Sequence, residues 1–236
     1  MLVMPANNTK WQVHCLARET GRFGHLFSPD GNRGPYSWLP YSLDNGAFSC
    51  WDMATNVFND DKWAAMLPKW NKLLFWAQCQ KQKARWAIVP DVIGNAPRTL
   101  ARWEEYAPMV EAANIPLAIA VQDGMTIQQV RRLEIQPEVI AVGGTDDFKW
   151  NTVAQWAEAF PRVHLLRCNM PHKLYELEAM GVESCDGTGW MQGDAKRFKA
   201  LERWAYSRAV PVRSYPSEYV PPLTKKQKQS GQQELG

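Results

Sequence analysis

The chain has 236 residues, 45% of them hydrophobic, so it is long enough to bury one full hydrophobic core and short for two. Its net charge of +3 does not by itself indicate a nucleic-acid-binding protein, and its five cysteines, an odd number without close pairs, indicate neither a disulfide framework nor a CxxC zinc site. It has no uninterrupted apolar run of about 18 residues and no secretion-type leader, which predicts a cytoplasmic protein without a membrane partner.

Short β-rich runs alternate with longer helical segments from about residue 38 onward, a pattern typical of repeated βα units around a parallel sheet. The predicted strands are 38–43, 85–90, 116–121, 138–143, 163–168 and 181–185. The predicted helices are 60–83, 97–113, 126–134, 150–160, 171–180 and 194–208. Two further strands are expected earlier in the chain, Gln12 to Leu16 and His25 to Phe27, and they bring the number to eight.

The predicted fold class is α/β, a compact TIM-type (β/α)8 barrel. The alternative is an open doubly wound sheet, but a nucleotide-binding sheet of that kind needs a glycine loop, and the chain has neither GxGxxG nor a Walker A motif. Residues 1–213 are predicted to form a single barrel domain, in which Arg18 to Tyr36 is a loop over the site. Residues 214–236 are predicted to be a basic, disordered tail.

Five predicted strands end in polar residues or glycines, and the carboxyl ends of barrel strands are where this fold places its chemistry. The five ends lie within 42–48, 88–92, 120–124, 139–145 and 181–189. The last of them carries Asp186 between an apolar run and a glycine-rich loop. We therefore expect the five ends to face one site.

A single aspartate at a strand end is more often a helix N-cap than a catalyst, and Asp91, which precedes the helix expected near Pro97, fits that interpretation. Asp44 and Asp186 are both followed by glycine-containing loops, and their order relative to Gln122 and Gly144 favours a site. The four histidines show no HxH or HxxxH pattern, so the sequence predicts no metal and no cofactor.

Taken in order, these motifs resemble those of the queuine tRNA-guanine transglycosylase family over about residues 38 to 198. That family exchanges guanine for a 7-deazaguanine on a barrel, through a covalent enzyme–sugar intermediate. The run Asp44-Asn45-Gly46-Ala47-Phe48 is similar to the family's Asp-Ser-Gly-Gly-aromatic motif, and 181–186 is similar to its Gly-hydrophobic-acid-x-x-Asp motif. The runs 89–92, 121–124 and 142–144 match the positions that bind the base.

The resemblance implies that Asp186 is the nucleophile and Asp44 the general acid/base, which protonates the departing guanine and deprotonates the incoming base. It also implies that Phe48 stacks on the base, whose edge is bound by Asp91, Gln122 and the backbone of Gly143 and Gly144. These residue types suit the chemistry, because a carboxylate can stabilise an oxocarbenium-like transition state and then trap it, as in retaining glycosidases.

The chain departs from the tRNA enzymes in two ways. It has no cysteine and no histidine after Asp186, where that family carries a Cys-x-Cys-x-x-Cys plus His zinc module, and 187–190 reads Gly-Thr-Gly-Trp instead of a Leu-Pro-Thr-Arg type. Both departures resemble the compact, zinc-free DNA-guanine transglycosylases of the DpdA type, found in phages and some bacterial islands. The expected partners are therefore DNA and a 7-deazaguanine base such as preQ0, with tRNA the alternative.

Three residues near the nucleophile are candidate nucleic-acid contacts. Lys196 and Arg197 begin a basic cluster that can bind phosphates, although a solvated helix face has the same pattern. Trp190 follows the Asp186 loop and is a candidate to stack on an extruded nucleotide, while most of the other tryptophans have the spacing of core residues.

Other functions remain open at this point. The chain can be a catalytically silent barrel that binds nucleic acid or a purine, or a glycoside hydrolase that uses Asp44 and Asp186 on a sugar. The sugar hydrolase leaves the purine-edge set unexplained. The sequence does not decide the oligomeric state.

Overall fold

The computed structural model describes residues 1–6, 10–31, 35–36, 38–52, 54–55, 57–192 and 195–207. Their strands are β1 Leu2–Met4, β2 His25–Phe27, β3 Tyr41–Leu43, β4 Trp51–Asp52, β5 Val57–Phe58, β6 Ala87–Ile88, β7 Leu117–Val121, β8 Val139–Val142, β9 Val163–Leu165 and β10 Ser184–Asp186. Their α-helices are α1 Trp11–Thr20, α2 Asp60–Gln78, α3 Ala96–Ala112, α4 Ile127–Arg131, α5 Asp146–Ala159, α6 Lys173–Ala179, α7 Gly189–Gln192 and α8 Ala195–Ser207. A 3₁₀ helix spans Ala47–Cys50.

Eight of these strands form one parallel sheet, in the order β2, β3, β6, β7, β8, β9, β10 and β1. Parallel bridges from Val3 to Phe23 and from Ala6 to Leu26 join the first strand of this series to the last. The sheet therefore closes into a (β/α)8 barrel, and the predicted fold class is confirmed. The remaining strands, β4 and β5, form a small antiparallel hairpin after β3.

Two predictions about the N-terminal part are wrong. Gln12 to Leu16 is not a strand but part of α1, and Leu2–Met4 supplies the barrel strand instead. The stretch Arg18 to Tyr36 is not one long loop, because it contains the end of α1 and all of β2. Its apolar residues Phe23, Leu26 and Phe27 are buried, so this stretch builds the wall of the barrel. The predicted tail, 214–236, lies outside the described residues.

The barrel interior changes from apolar to polar along its axis. Because side chains alternate across a strand, every second residue points inward. The inward positions of the lower and middle layers hold Met4, Leu26, Trp86, Ile88, Ala118, Ala120, Val139 and Ala141, which pack together as one cluster. Small alanines on β7 and β8 leave room for the Trp86 indole, which is fully buried. This plug closes the barrel below its polar upper end.

Side-chain caps fix where several helices begin. Asn59, Asn95 and Thr145 each accept a hydrogen bond from a backbone amide in the first turn of α2, α3 and α5. Such a cap stabilises a helix by about 1 kcal/mol. Since Asn95 caps α3, Asp91 is not the N-cap that the simpler interpretation of the sequence assigns to it.

Three charged residues close the lower, amino-terminal end of the barrel. Arg162 binds the Glu183 carboxylate with two nitrogens, at 2.7 Å to Oε2 and 3.0 Å to Oε1, and Arg85 also donates to Oε1. Burial by itself raises the pKa of Glu183, but the bonds from Arg162 and Arg85 outweigh it and lower the pKa to about 2. The carboxylate therefore stays ionised and paired at neutral pH.

Candidate active site

A cavity of about 380 Å³ opens at the carboxyl ends of the barrel strands. Its volume lies in the range of about 300–1,000 Å³ that is common for small-molecule sites. The structure brings seven of the ten sequence-predicted site residues together in its lining: Asp44, Phe48, Asp91, Gln122, Gly143, Gly144 and Asp186. These residues lie far apart in the sequence, and the parallel barrel places them around one space.

Asp44 follows β3 and is the carboxylate with the most altered proton affinity in the cavity. Burial raises its pKa most, and the negative charges of Asp186 and Asp91 raise it further. Backbone amides of Gly46 and Asn45 oppose these effects, and the resulting pKa is about 7. A carboxyl group with such a pKa is present in both protonation states near neutrality, which suits a general acid/base.

Asp91 lies deeper and is held by two amide side chains. Asn45 Nδ2 donates to its Oδ1 at 2.7 Å, and Gln122 Nε2 donates to its Oδ2 at 2.6 Å. Burial raises the pKa of Asp91 to about 6, although the Asn45 bond and the positive charges of Arg102 and Arg167 act in the opposite direction. Asp91 is thus mostly ionised at neutral pH, and each carboxylate oxygen keeps a lone pair for a further donor.

The amide of Gln122 is oriented by these contacts. Its Oε1 accepts the backbone N–H of Gly94 at 3.0 Å, so Nε2 is the donor atom: one of its hydrogens binds Asp91 and the other remains for a ligand. Asn45 is fixed in a similar way, since its Oδ1 accepts the Ala47 amide at 2.8 Å while its Nδ2 also reaches the Val89 carbonyl at 3.0 Å. The sequence motif contained Asn45, but its role in holding Asp91 appears only in the structure.

Asp186 ends β10 and is 7% exposed. Its Oδ1 accepts the backbone N–H of Arg167 at 2.8 Å and lies 3.2 Å from Nε2 of His164. Within the described residues, no donor is bound to Oδ2. One carboxylate oxygen is therefore anchored, and the other is left for a ligand in the cavity.

Arg167 is a site residue that sequence reasoning missed. Its φ of 57° is unusual for a residue with a side chain and costs about 1–3 kcal/mol, a strain that is common at functional sites. Its contacts support this conformation, because its amide binds Asp186 and its guanidinium donates to the Gly144 carbonyl at 2.6 Å. The guanidinium carbon also lies 4.8 Å from the centre of the Phe48 ring, and Phe48 is 44% exposed at the cavity mouth.

The two glycines after β8 have different roles. The N–H of Gly143 is bound to the Val121 carbonyl at 3.0 Å, so it is not available to a ligand. A Cβ on Gly143 would lie 3.0 Å from Gln122 Nε2, so a side chain there would press on the amide that holds Asp91. Gly144 has a φ of 76°, and a Cβ on it would meet Asp123 Oδ2 at 2.3 Å. Only the Gly144 amide remains as a backbone donor of this pair, since no described acceptor binds it.

Lys149 is a second cation that the sequence did not reveal. It belongs to the first turns of α5, is 1% exposed and contributes to the cavity lining. Its Nζ lies 2.8 Å from Asp146 Oδ1 and donates to the Leu166 carbonyl at 3.3 Å. Together with Arg167 it supplies positive charge to a cavity that is lined by four aspartates, Asp44, Asp91, Asp146 and Asp186.

The predicted nucleic-acid contacts have a mixed outcome. Trp190 lies in the core and is 1% exposed, so its ring has no surface for an extruded base, and we correct its role to packing. It belongs to α7, the short helix that follows β10, and packs in the main hydrophobic core cluster. Lys196 and Arg197 are exposed on the first turn of α8, and their contact with phosphates stays a prediction.

The described part of the chain contains neither a metal-ligand cluster nor a membrane-spanning helix. No group of three histidine, cysteine, aspartate or glutamate side chains in that part is arranged to hold a metal ion. None of the helices found there combines the length and the apolar character that crossing a bilayer requires.

The fold and cavity define a (β/α)8 barrel protein with an acidic site at the carboxyl ends of its strands. No family model matches this chain, and no curated protein matches it in sequence. A crystal structure of 3-hexulose-6-phosphate synthase from Salmonella typhimurium is similar, with a TM-score of 0.50 and 11% sequence identity. The match covers 88% of this chain and 100% of that one. At this identity the likeness shows a shared barrel fold.

Proposed function

We propose that this protein is a base-exchange glycosyltransferase that replaces guanine in DNA by a 7-deazaguanine of the preQ0 type. The observation that carries the proposal is a pair of carboxylates in one cavity with different environments. Asp44 has a pKa of about 7, while Asp186 has one oxygen anchored by hydrogen-bond donors and one oxygen open. Two carboxylates with separate acid/base and nucleophilic tasks are what glycosyl transfer with retention requires.

In the first half of the reaction, the open oxygen of Asp186 attacks C1′ of the target nucleotide as the bond from C1′ to guanine N9 breaks. The electron pair of that bond leaves with the base, and the proton of Asp44 neutralises the departing guanine. The products are a covalent aspartyl–sugar ester and free guanine. An ionised carboxylate is already a nucleophile and needs no general base to activate it for this step.

In the second half, Asp44 takes the N9 proton of the incoming base. The N9 electron pair then attacks C1′, and the ester bond to Asp186 breaks, which regenerates both carboxyl groups. The same group acts as acid and then as base, and its pKa of about 7 suits both directions. The overall reaction exchanges one base for another and consumes no cofactor.

The base edge is complementary to the lower part of the cavity. Asp91 accepts from the N1–H and N2–H groups of a guanine-like ring, and Gln122 Nε2 with the Gly144 amide donates to O6. Phe48 supplies an exposed aromatic face at the mouth, where stacking contributes about 1–3 kcal/mol. The target nucleotide must leave the duplex to reach this cavity. The choice of DNA over tRNA rests on the sequence resemblance.

The experiment that tests this function measures incorporation of radiolabelled guanine and radiolabelled preQ0 into duplex DNA and into unmodified tRNA in parallel. We expect label in DNA, and a loss of at least about 10⁴-fold in the Asp186→Asn variant, as for other enzymes that lose a nucleophile. Asp147→Asn is the matched control, because Asp147 is an exposed aspartate at the start of α5 that does not line the cavity.

The other outcomes separate the alternatives. Label only in tRNA would make the protein a tRNA-guanine transglycosylase. Full turnover by Asp186→Asn would remove Asp186 as the nucleophile. If no label enters either polymer, while the protein binds guanine in equilibrium dialysis, the base-exchange proposal is wrong and a purine-binding barrel remains.

A further inference from the structure

We infer that His164 and Ser184 are positioning residues that hold the Asp186 carboxylate for attack on C1′, an inference that rests on the proposed function. Neither residue lines the cavity, so neither touches the substrate. Both lie one layer below it, inside the barrel. They act through Asp186 and are not catalytic residues themselves.

The three side chains form one buried chain of contacts. The Ser184 hydroxyl oxygen lies 2.8 Å from Nδ1 of His164, and Nε2 of the same ring lies 3.2 Å from Asp186 Oδ1. His164 and Ser184 are both 0% exposed. Ser184 and Asp186 are two apart on β10 and therefore share its inward face, while His164 is the inward residue of the neighbouring strand β9.

The Asp186 carboxylate determines which group donates in each of the two hydrogen bonds that link Ser184, His164 and Asp186. An ionised carboxylate can only accept, so Nε2 of His164 must carry a hydrogen. In a neutral ring Nδ1 is then an acceptor, and it receives the hydroxyl hydrogen of Ser184. Ser184 thus selects the tautomer that serves Asp186, a task that second partners of functional histidines commonly perform.

The ring itself has little freedom to move. Its centre lies 4.6 Å from that of the Trp86 ring, which is fully buried in the apolar plug. The Nε2–H group and the Arg167 amide both bind Oδ1, so they hold the carboxylate on one side and leave Oδ2 toward the cavity.

The first test is independent of enzyme activity and determines the tautomer by ¹⁵N-detected NMR of the histidine rings, assigned with the His164→Gln variant. We expect His164 to be the Nε2–H tautomer in the wild type, with its Nε2–H signal shifted in Asp186→Asn. The tautomer preference should weaken in Ser184→Ala. A ring protonated only at Nδ1, or a signal that Asp186→Asn does not change, overturns the inference.

The second test compares two substitutions of the same residue in the exchange assay. His164→Leu removes the donor, and we expect kcat to fall about 10- to 100-fold with little change in the KM for the base. The reason is that a shift of the Asp186 carboxylate by about 1 Å lowers the rate of attack by up to about 10²-fold. His164→Gln can place an amide nitrogen near the Nε2 position, and it should recover most of the rate. Ser184→Ala should show a smaller loss of the same kind.

These results distinguish the inference from the proposed function. If the wild type exchanges no base, the proposed function fails, and the NMR result still decides whether His164 holds Asp186. If the wild type is active and His164→Leu is folded by circular dichroism with an unchanged kcat, the positioning role is overturned. Should His164→Leu not fold, Ser184→Ala and His164→Gln provide the same comparison, and an unchanged kcat in Ser184→Ala together with an unchanged tautomer overturns it.

Discussion

The two ends of the barrel use the same kind of side chain in opposite ways. At the lower end, Glu183 is bound by two arginines, and although its burial acts in the other direction, its pKa falls to about 2. At the upper end, burial and the neighbouring carboxylates raise the pKa of Asp44 to about 7. Glu183 immediately precedes β10 and Asp186 ends it, so two carboxylates three residues apart differ because their neighbours differ.

This difference indicates that the lower end of the barrel contributes to stability and the upper end contains the reactive groups. Opposite charges in contact stabilise the folded chain, whereas carboxylates gathered in a poorly solvated cavity oppose folding once they ionise. In a (β/α)8 barrel the lower face usually serves stability and the upper face chemistry, and the charge arrangement here agrees with that division. The following substitutions test it.

Of the substitutions that compare the two ends, Asp44→Asn is expected to have the largest effect, which is on the exchange reaction. An amide of the same shape cannot donate and accept the proton, so kcat/KM should fall about 10²- to 10⁴-fold, the usual contribution of a general acid/base. Initial rates of labelled preQ0 incorporation measure the loss, with Asp147→Asn as the control. A variant that keeps more than half of the wild-type rate contradicts the role assigned to Asp44.

The same substitution should stabilise the protein, by an amount that depends on pH. A carboxyl group whose pKa is raised on folding contributes stability below its ordinary pKa of about 4, and this stability is lost as the pH rises through about 7. Asp44→Asn should therefore match the wild type near pH 4 and exceed it by about 1–3 kcal/mol at pH 8.

Urea unfolding of both proteins across this pH range gives the difference directly. Burial lowers the pKa of His14 to about 4 and that of His25 to about 3, so both proteins lose stability in acid, but this loss cancels in the comparison. A difference that does not change with pH would show that ionisation of Asp44 does not oppose folding.

A smaller effect of opposite sign is expected at the lower end. Glu183→Gln removes the charge that both arginines bind, and we expect a loss of about 1–2 kcal/mol at neutral pH, since these side chains are only partly buried. The stability that Glu183 provides is present above its ordinary pKa of about 4 and is lost as the pH falls through about 2, because its folded pKa is lowered.

Thermal and urea unfolding measure this loss, and the exchange assay at a temperature well below the transition provides the matching control. Exchange activity should be unchanged, since Glu183 is on the opposite side of the apolar plug from the cavity. A variant that is as stable as the wild type but inactive would reverse the division between the two ends.

Local sequence signals were sufficient for the barrel and for much of the cavity lining. The alternation of β-rich runs and helices placed six strands and six helices, and polar residues after those strands marked Asp44, Asp91, Gln122 and Asp186. These signals succeed because parallel strands in a barrel all end on the same side, so the residues that follow each strand can be expected to meet.

The N-terminal strand was misplaced because Gln12 to Leu16 has the apolar content of either a strand or a helix, and only packing selects the helix.

The tertiary structure alone decided what each of these residues can do. Asn45 and Gln122 hold Asp91, and the Arg167 amide and His164 hold Asp186, although these partners are far apart in the sequence. The burial of Trp190 is likewise visible only in the folded structure. The raised pKa of Asp44 is likewise a property of its surroundings, since burial and the charge of Asp186 arise only when the barrel closes. The sequence by itself determined which groups are available, and the folded barrel determined their neighbours, because proton affinity and hydrogen bonding depend on distances that no local pattern contains.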